Sequence, residues 1–143
     1  MKISTKFTLA VHTMLCIAYF QNSVKLTSDF IASSTNVNPV IIREILGLLQ
    51  DANLVVTKSG VGGSSLARAQ EKITLLDIYK AVNENKENSS YPIFNFHPNP
   101  NPECPVGSKI HTVLDPALTN AQKALEKELS KTNLKKLREQ LSK

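Results

Sequence analysis

A mainly α-helical fold carrying one small β-hairpin is the class this sequence predicts, and three observations predict it. Apolar residues recur at helical spacing through most of the chain. Two short runs, Leu54–Lys58 and Ser64–Ala67, flank a turn written Gly60-Val61-Gly62-Gly63. From Ser108 to Lys143 there is no glycine and a single proline, which leaves room for one long helix.

The elements follow in order. Ser4 or Thr5 caps a first helix running to about Phe20. Phe7, Val11, Met14 and Ala18 form one apolar stripe on it, and Leu9, His12, Cys16 and Phe20 form a second on the opposite side. A helix apolar on both sides is expected to be covered on both, by the rest of the chain or by another subunit. Thr27 caps a helix through about Ser34, with small Ala32 where two helices must cross and Asn36 suited to a turn of positive φ. Asn38 caps the next helix, and Pro39 takes its first position, where a missing N–H costs nothing. Ile42, Ile45, Leu46 and Leu49 make its inward face, and Gly47 in its middle costs roughly 1 kcal/mol relative to Ala. After the hairpin, Ile73–Val82 reads as a further helix.

Residues 84–108 change character, because five of the seven prolines fall there among Asn, Ser and Glu. Beyond them, Ile110, Leu114, Leu118, Ala121, Leu125 and Leu129 make one narrow apolar stripe between Lys and Glu. Such a helix cannot bury itself, so it asks for a partner. Pro116 should kink or restart it. Thr132 or Asn133 caps a last short helix carrying Leu134, Leu137 and Leu141. The chain thus divides into a first unit at 1–83, a Pro/Asn-rich loop at 84–107, and a long helix with its short successor at 108–143.

Composition narrows the function classes. A formal charge of +5 suits an anionic partner without demanding one. Its distribution is thin: residues 1–66 carry five cations (Lys2, Lys6, Lys25, Arg43, Lys58) against three acids. Two cysteines, Cys16 and Cys104, give no disulfide framework. The apolar stretch from Leu9 to Phe20 is too short to span a bilayer, and no signal peptide opens the chain, so a cytoplasmic protein is expected. Three scattered histidines, no phosphate-cradling glycine loop before a helix, and no carboxylate pair at catalytic spacing argue against an enzyme.

Helix, turn, helix and hairpin between Thr27 and Arg68 are the layout of a winged helix-turn-helix, whose second helix is built to enter a DNA major groove. Its exposed N-terminal candidates are Asn38, Val40 and Arg43, with Pro39 fixing the entry. Arg43 can grip guanine O6 and N7 together. In the hairpin, Gly60, Val61, Gly62 and Gly63 let backbone approach a phosphate or a narrow groove closely. Lys6 and Thr27 are candidate phosphate contacts.

Several of these segments together resemble the IscR/NsrR/CymR (Rrf-type) family of bacterial transcription regulators, in its YwnA-like branch. They are Lys2–Phe7 with Ala10-Val11, Asn38–Arg43, Gly60–Gly63, Ile73–Ile78 and Asn101–Gly107, and they span nearly the whole chain in order. The resemblance implies a homodimer whose long C-terminal helices cross, using the stripe from Ile110 to Leu129. It also implies a repressor on a roughly palindromic operator in double-stranded DNA, read through residues 38–50 and a wing at 58–64. Family members commonly place an arginine just before the first wing glycine; here Ser59 stands there, after Lys58, so the wing is expected to position more than to read. At the place of Arg43 the iron–sulfur relatives often carry an acid, which implies a different operator. Those relatives also hold three closely spaced cysteines in the loop where this chain keeps only Cys104. No iron–sulfur cluster, metal or other resident cofactor is therefore expected, although His12, Cys16, His97 and His111 can be drawn as substitute ligands. Cys104 itself, near the start of the long helix, is a candidate single-cysteine redox switch whose thiol the helix dipole and exposed amides would acidify. The effector, small molecule or redox, stays open. The competing class is a winged-helix protein-interaction module that docks through its C-terminal helix and does not bind DNA.

Overall fold

The computed structural model describes residues 5–21, 23–58, 63–83, 94 and 96–142. Helices α1 (Thr5–Tyr19), α2 (Ser28–Thr35) and α3 (Pro39–Asp51) precede an antiparallel hairpin of β1 (Val55–Lys58) and β2 (Gly63–Leu66). A short 3-10 turn (Gln70–Lys72) leads into α4 (Leu75–Val82), and the chain closes with α5 (Ile110–Leu129) and α6 (Leu134–Leu141). This is a mainly α fold with a small β wing.

Local chemistry sets most of the boundaries. The Thr27 side chain accepts from the Phe30 amide at 3.1 Å, satisfying one orphan donor of α2. That helix ends where Asn36 turns left-handed at φ 58°, its amide bonded to the Ala32 carbonyl. Two residues later Asn38 Oδ1 accepts from the Val40 amide at 2.9 Å, with Pro39 in the first turn of α3. Asn133, rather than Thr132, caps α6 by accepting from Lys136.

Three expectations need correcting. Helix α4 starts at Leu75, two residues later than its apolar pattern predicts. A reciprocal capping box between Thr74 and Asp77 fixes the start and leaves Ile73 extended. The hairpin strands are Val55–Lys58 and Gly63–Leu66, because Leu54 and Ala67 fall just outside the ladder, joined by one further backbone bond of 3.0 Å. Helices α1 and α2 end at Tyr19 and Thr35, each within one residue of the expected end. Finally, α5 does not restart at Pro116. Thr112 and Pro116 are both exposed, so water can satisfy the carbonyl that the proline leaves without its donor.

The core lies between α1 and the helices around it. Met14, Ile17, Ile31, Ile42, Ile45, Leu49, Leu54, Ile73 and Ile78 are essentially inaccessible. Leu134 of α6 joins them at 1% exposure, so the C-terminus returns to the first unit. Two backbone bonds stitch that return, Leu134 N–H to Ile73 O at 2.8 Å and Leu75 N–H to Thr132 O at 2.9 Å. Helix α5 is built differently. Of its apolar stripe, Ile110, Leu114, Leu118, Leu125 and Leu129 are half-buried, Ala121 is exposed, and the helix's only fully buried residue is polar Gln122.

Candidate nucleic-acid interface

The surface around the N-terminus of α3 is assembled by burial on the far side of that helix. Ile42, Ile45, Leu46 and Leu49 are locked into the core, which turns Val40, Ile41, Arg43, Glu44 and Gly47 outward. Val40 is 51% exposed and Ile41 41%, unusual for branched apolar residues on a helix this well anchored. Apolar contact of this kind suits a thymine methyl group. Ile41 escaped the sequence reading, although its place outside the inner stripe was the available signal. Asn38 is exposed; its Oδ1 is spent on the cap, and its amide N–H₂ remains able to donate outward. Pro39 is half-buried beneath it.

Arg43 is exposed and donates to the Ser28 hydroxyl at 3.4 Å. Ser28 opens α2, so this bond ties the Arg43 side chain to the helix that precedes it. No local pattern announces such a contact. Thr27 beside it is half-buried, with its oxygen accepting in the cap and its hydroxyl hydrogen available to a phosphate. Lys6 sits half-buried in the first turn of α1.

On the wing, exposed Lys58 closes β1 opposite Gly63. Ser59, Gly60, Val61 and Gly62 lie outside the described residues. Gly63 has φ +70°, and a Cβ there would stand 3.0 Å from the Leu26 backbone nitrogen. The next residue, Ser64, donates its amide to the Leu26 carbonyl at 2.9 Å. Glycine is thus required where the wing is fastened to the segment leading into Thr27. The hairpin and α3 are both tied to the segment Leu26–Ser28.

Cys104 lies apart, half-buried in a turn over 101–109. The amides of Gly107 and Val106 donate to its sulfur and hold the thiol below its ordinary pKa, with slight burial opposing. The donors belong to this turn, ahead of α5, which begins at Ile110. A Cβ on Gly107 would come within 2.4 Å of the Asn101 carbonyl oxygen, so the turn needs glycine there. Cys16 is buried in α1, and His12 of the same helix bonds the Ser34 hydroxyl at 2.9 Å. His97 stacks on His111 with ring centroids 6.4 Å apart. Among the described residues no group of three or more His, Cys, Asp or Glu stands close enough to hold a metal. Two cysteines so placed do not fit an iron–sulfur cluster, which is held mostly by four.

Fold and surface together are those of a winged helix-turn-helix protein. The family profile described as "Rrf2: Iron-dependent Transcriptional regulator" matches residues 3–140, and the chain belongs to that family. It is 38% identical over 133 residues to YwnA of Bacillus subtilis (strain 168), a protein provisionally named an HTH-type transcriptional regulator. The match covers 93% of this chain and 94% of that one. Among solved structures, one provisionally described as a DNA-binding protein is 32% identical with a TM-score of 0.70, over 92% of this chain and 97% of the other. A transcriptional regulator from Lactobacillus plantarum, also provisionally described, is 26% identical with a TM-score of 0.78, over 98% and 91%. The protein is a DNA-binding transcription regulator of the Rrf2 family. Among the described residues no helix is long and apolar enough to cross a membrane.

Proposed function

We propose that the protein is a cytoplasmic, homodimeric repressor that reads a roughly palindromic operator through the 38–50 helix and the 58–64 wing. One observation carries the reading: α3 is capped, driven into the core on one side, and turns Asn38, Val40, Ile41 and Arg43 outward on the other. Arg43 supplies bidentate readout of a guanine, Val40 and Ile41 the apolar contact, and Thr27, Lys6 and Lys58 grip phosphates. Two copies join through the stripe from Ile110 to Leu129, whose leucines are only half-covered among the described residues. Their reading helices then fall on half-sites about one helical turn, 34–36 Å, apart. Cys104 acts as a redox switch of DNA binding, supported by its accessible turn and acidified thiol.

A mobility-shift titration against the DNA upstream of the protein's own gene, with random competitor, tests this. The expected result is a selective shift whose affinity falls steeply with salt, as released counterions require. A well-folded dimer giving no selective shift would instead make it a protein-interaction module. Replacing Cys104 with Ser should abolish any difference in operator binding between oxidant and reductant; a difference that persists removes the switch.

A further inference from the structure

Where α6, the end of α1, the 3-10 turn and the root of the hairpin meet, the surface folds into an open groove of about 760 Å³. Its walls are polar. Arg68, Lys135 and Arg138 bring three cations to it, and Glu71 brings a single carboxylate. Arg68 is engaged elsewhere, paired with Asp77 at 3.7 Å and donating to the Ala52 carbonyl at 3.5 Å. Lys135 and Arg138 form no ion pair among the described residues.

Two buried polar atoms sharpen the chemistry. Arg138 Nε has no acceptor, and Gln70 Oε1 has no donor, although both residues line the groove. The orientation of the Gln70 amide is set by its Nε2, which donates to the Ala18 carbonyl at 3.4 Å. A buried N–H on a cation and a buried carbonyl oxygen are both costly to leave unpaired. The groove is thus lined by the free cationic head of Lys135 and by Arg138, charges that suit an anionic acceptor.

The position separates this groove from the reading surface. In the hairpin register Leu66 faces Val55 at the root, whereas Gly63 faces Lys58 at the wing end. Four-residue strands set those ends about 10 Å apart. A concave site of this size suits a small molecule, while a duplex backbone would meet the wing end first.

We propose that the groove binds a free small organic anion, bearing a phosphate or carboxylate, between Arg138 and Lys135 of α6 and Gln70 of the 3-10 turn. Bound there, it cross-links the C-terminal helix to the 3-10 turn that follows the hairpin. The binding itself does not depend on which DNA the protein reads.

Titration calorimetry of the full chain with inorganic phosphate, and separately with citrate, at constant ionic strength tests the site. Saturable binding of one anion per chain is expected for at least one probe. Arg138→Gln and Lys135→Gln should each weaken it about tenfold or more, the loss of one charged hydrogen bond. Lys136→Gln, on the same helix but outside the groove, should leave affinity within about twofold of the parent. Lys135 is exposed, so its variant folds even if Arg138→Gln does not; far-ultraviolet circular dichroism checks both. No saturable binding of either probe at tens of millimolar overturns the proposal, as does equal weakening by all three variants. If neither probe binds but Lys135→Gln and Arg138→Gln weaken non-specific DNA binding, the groove is a DNA-backbone contact and the proposal fails.

Discussion

Helices α3 and α5 carry comparable apolar stripes and meet opposite fates. The 13 residues of α3 drive Ile42, Ile45, Leu46 and Leu49 into the core. The 20 residues of α5 fully bury only Gln122 and leave their leucines half-covered. One helix is satisfied by its own chain, and its remaining face is free for a ligand. The other still has apolar surface to hide, and a second copy of the chain is what we propose hides it. The two helices are thus separable, and mutations should tell them apart.

The sharpest contrast comes from equal truncations. Ile45→Ala leaves a cavity in a site with no exposure and should cost about 2–5 kcal/mol in denaturant unfolding. Leu118→Ala, measured dilute enough to be monomeric, should cost less than about 1.5 kcal/mol, because its side chain is half-covered. Similar costs at the two positions would erase the distinction between the helices. Leu118→Asp should then push the sedimentation equilibrium toward monomer, with far-ultraviolet circular dichroism unchanged.

Smaller effects probe α3 itself. Asn38→Ala removes a side-chain cap and should lower stability by about 1 kcal/mol in thermal melts. Gly47→Ala should raise it by about 0.5–1 kcal/mol, since a Cβ there meets nothing within 4 Å. A destabilised Gly47→Ala would mean that α3 is less regular than described.

Cys104 adds a pH signature. Amide donation lowers the thiol pKa in the folded chain, so folding favours the thiolate. That stabilisation is fully present above the ordinary thiol pKa and is lost as pH falls through the lowered one. Alkylation of Cys104 should therefore exceed that of an unstructured peptide thiol near neutral pH and rise through the lowered pKa. Buried Cys16 should stay unreacted until the protein unfolds. Gly107→Ala, by breaking the turn, should return Cys104 to ordinary reactivity.

What could be read from the sequence was what short-range chemistry controls. Thr27, Asn36, Asn38 and Pro39 act within three or four residues of themselves, so their caps and turns show in one dimension. Periodicity marked the inner face of α3 for the same reason. It failed at Ile73, where apolar spacing continued but the Thr74–Asp77 box decided the start; the spacing of those two residues was the overlooked signal. The bond from Arg43 to Ser28, the return of Leu134 to Ile73, and the groove joining Gln70 to Arg138 unite residues 15 to 68 positions apart. No local propensity encodes such meetings. Only the packed fold does.

The most direct measurement compares the parent and Arg43→Ala on a selected genomic site and on random DNA, in one buffer at moderate salt. Loss of a bidentate guanine contact should weaken the selected site about ten- to a hundredfold, with random DNA changing little. Equal weakening on both would reduce Arg43 to a phosphate contact, and unchanged binding to both would contradict reading through α3.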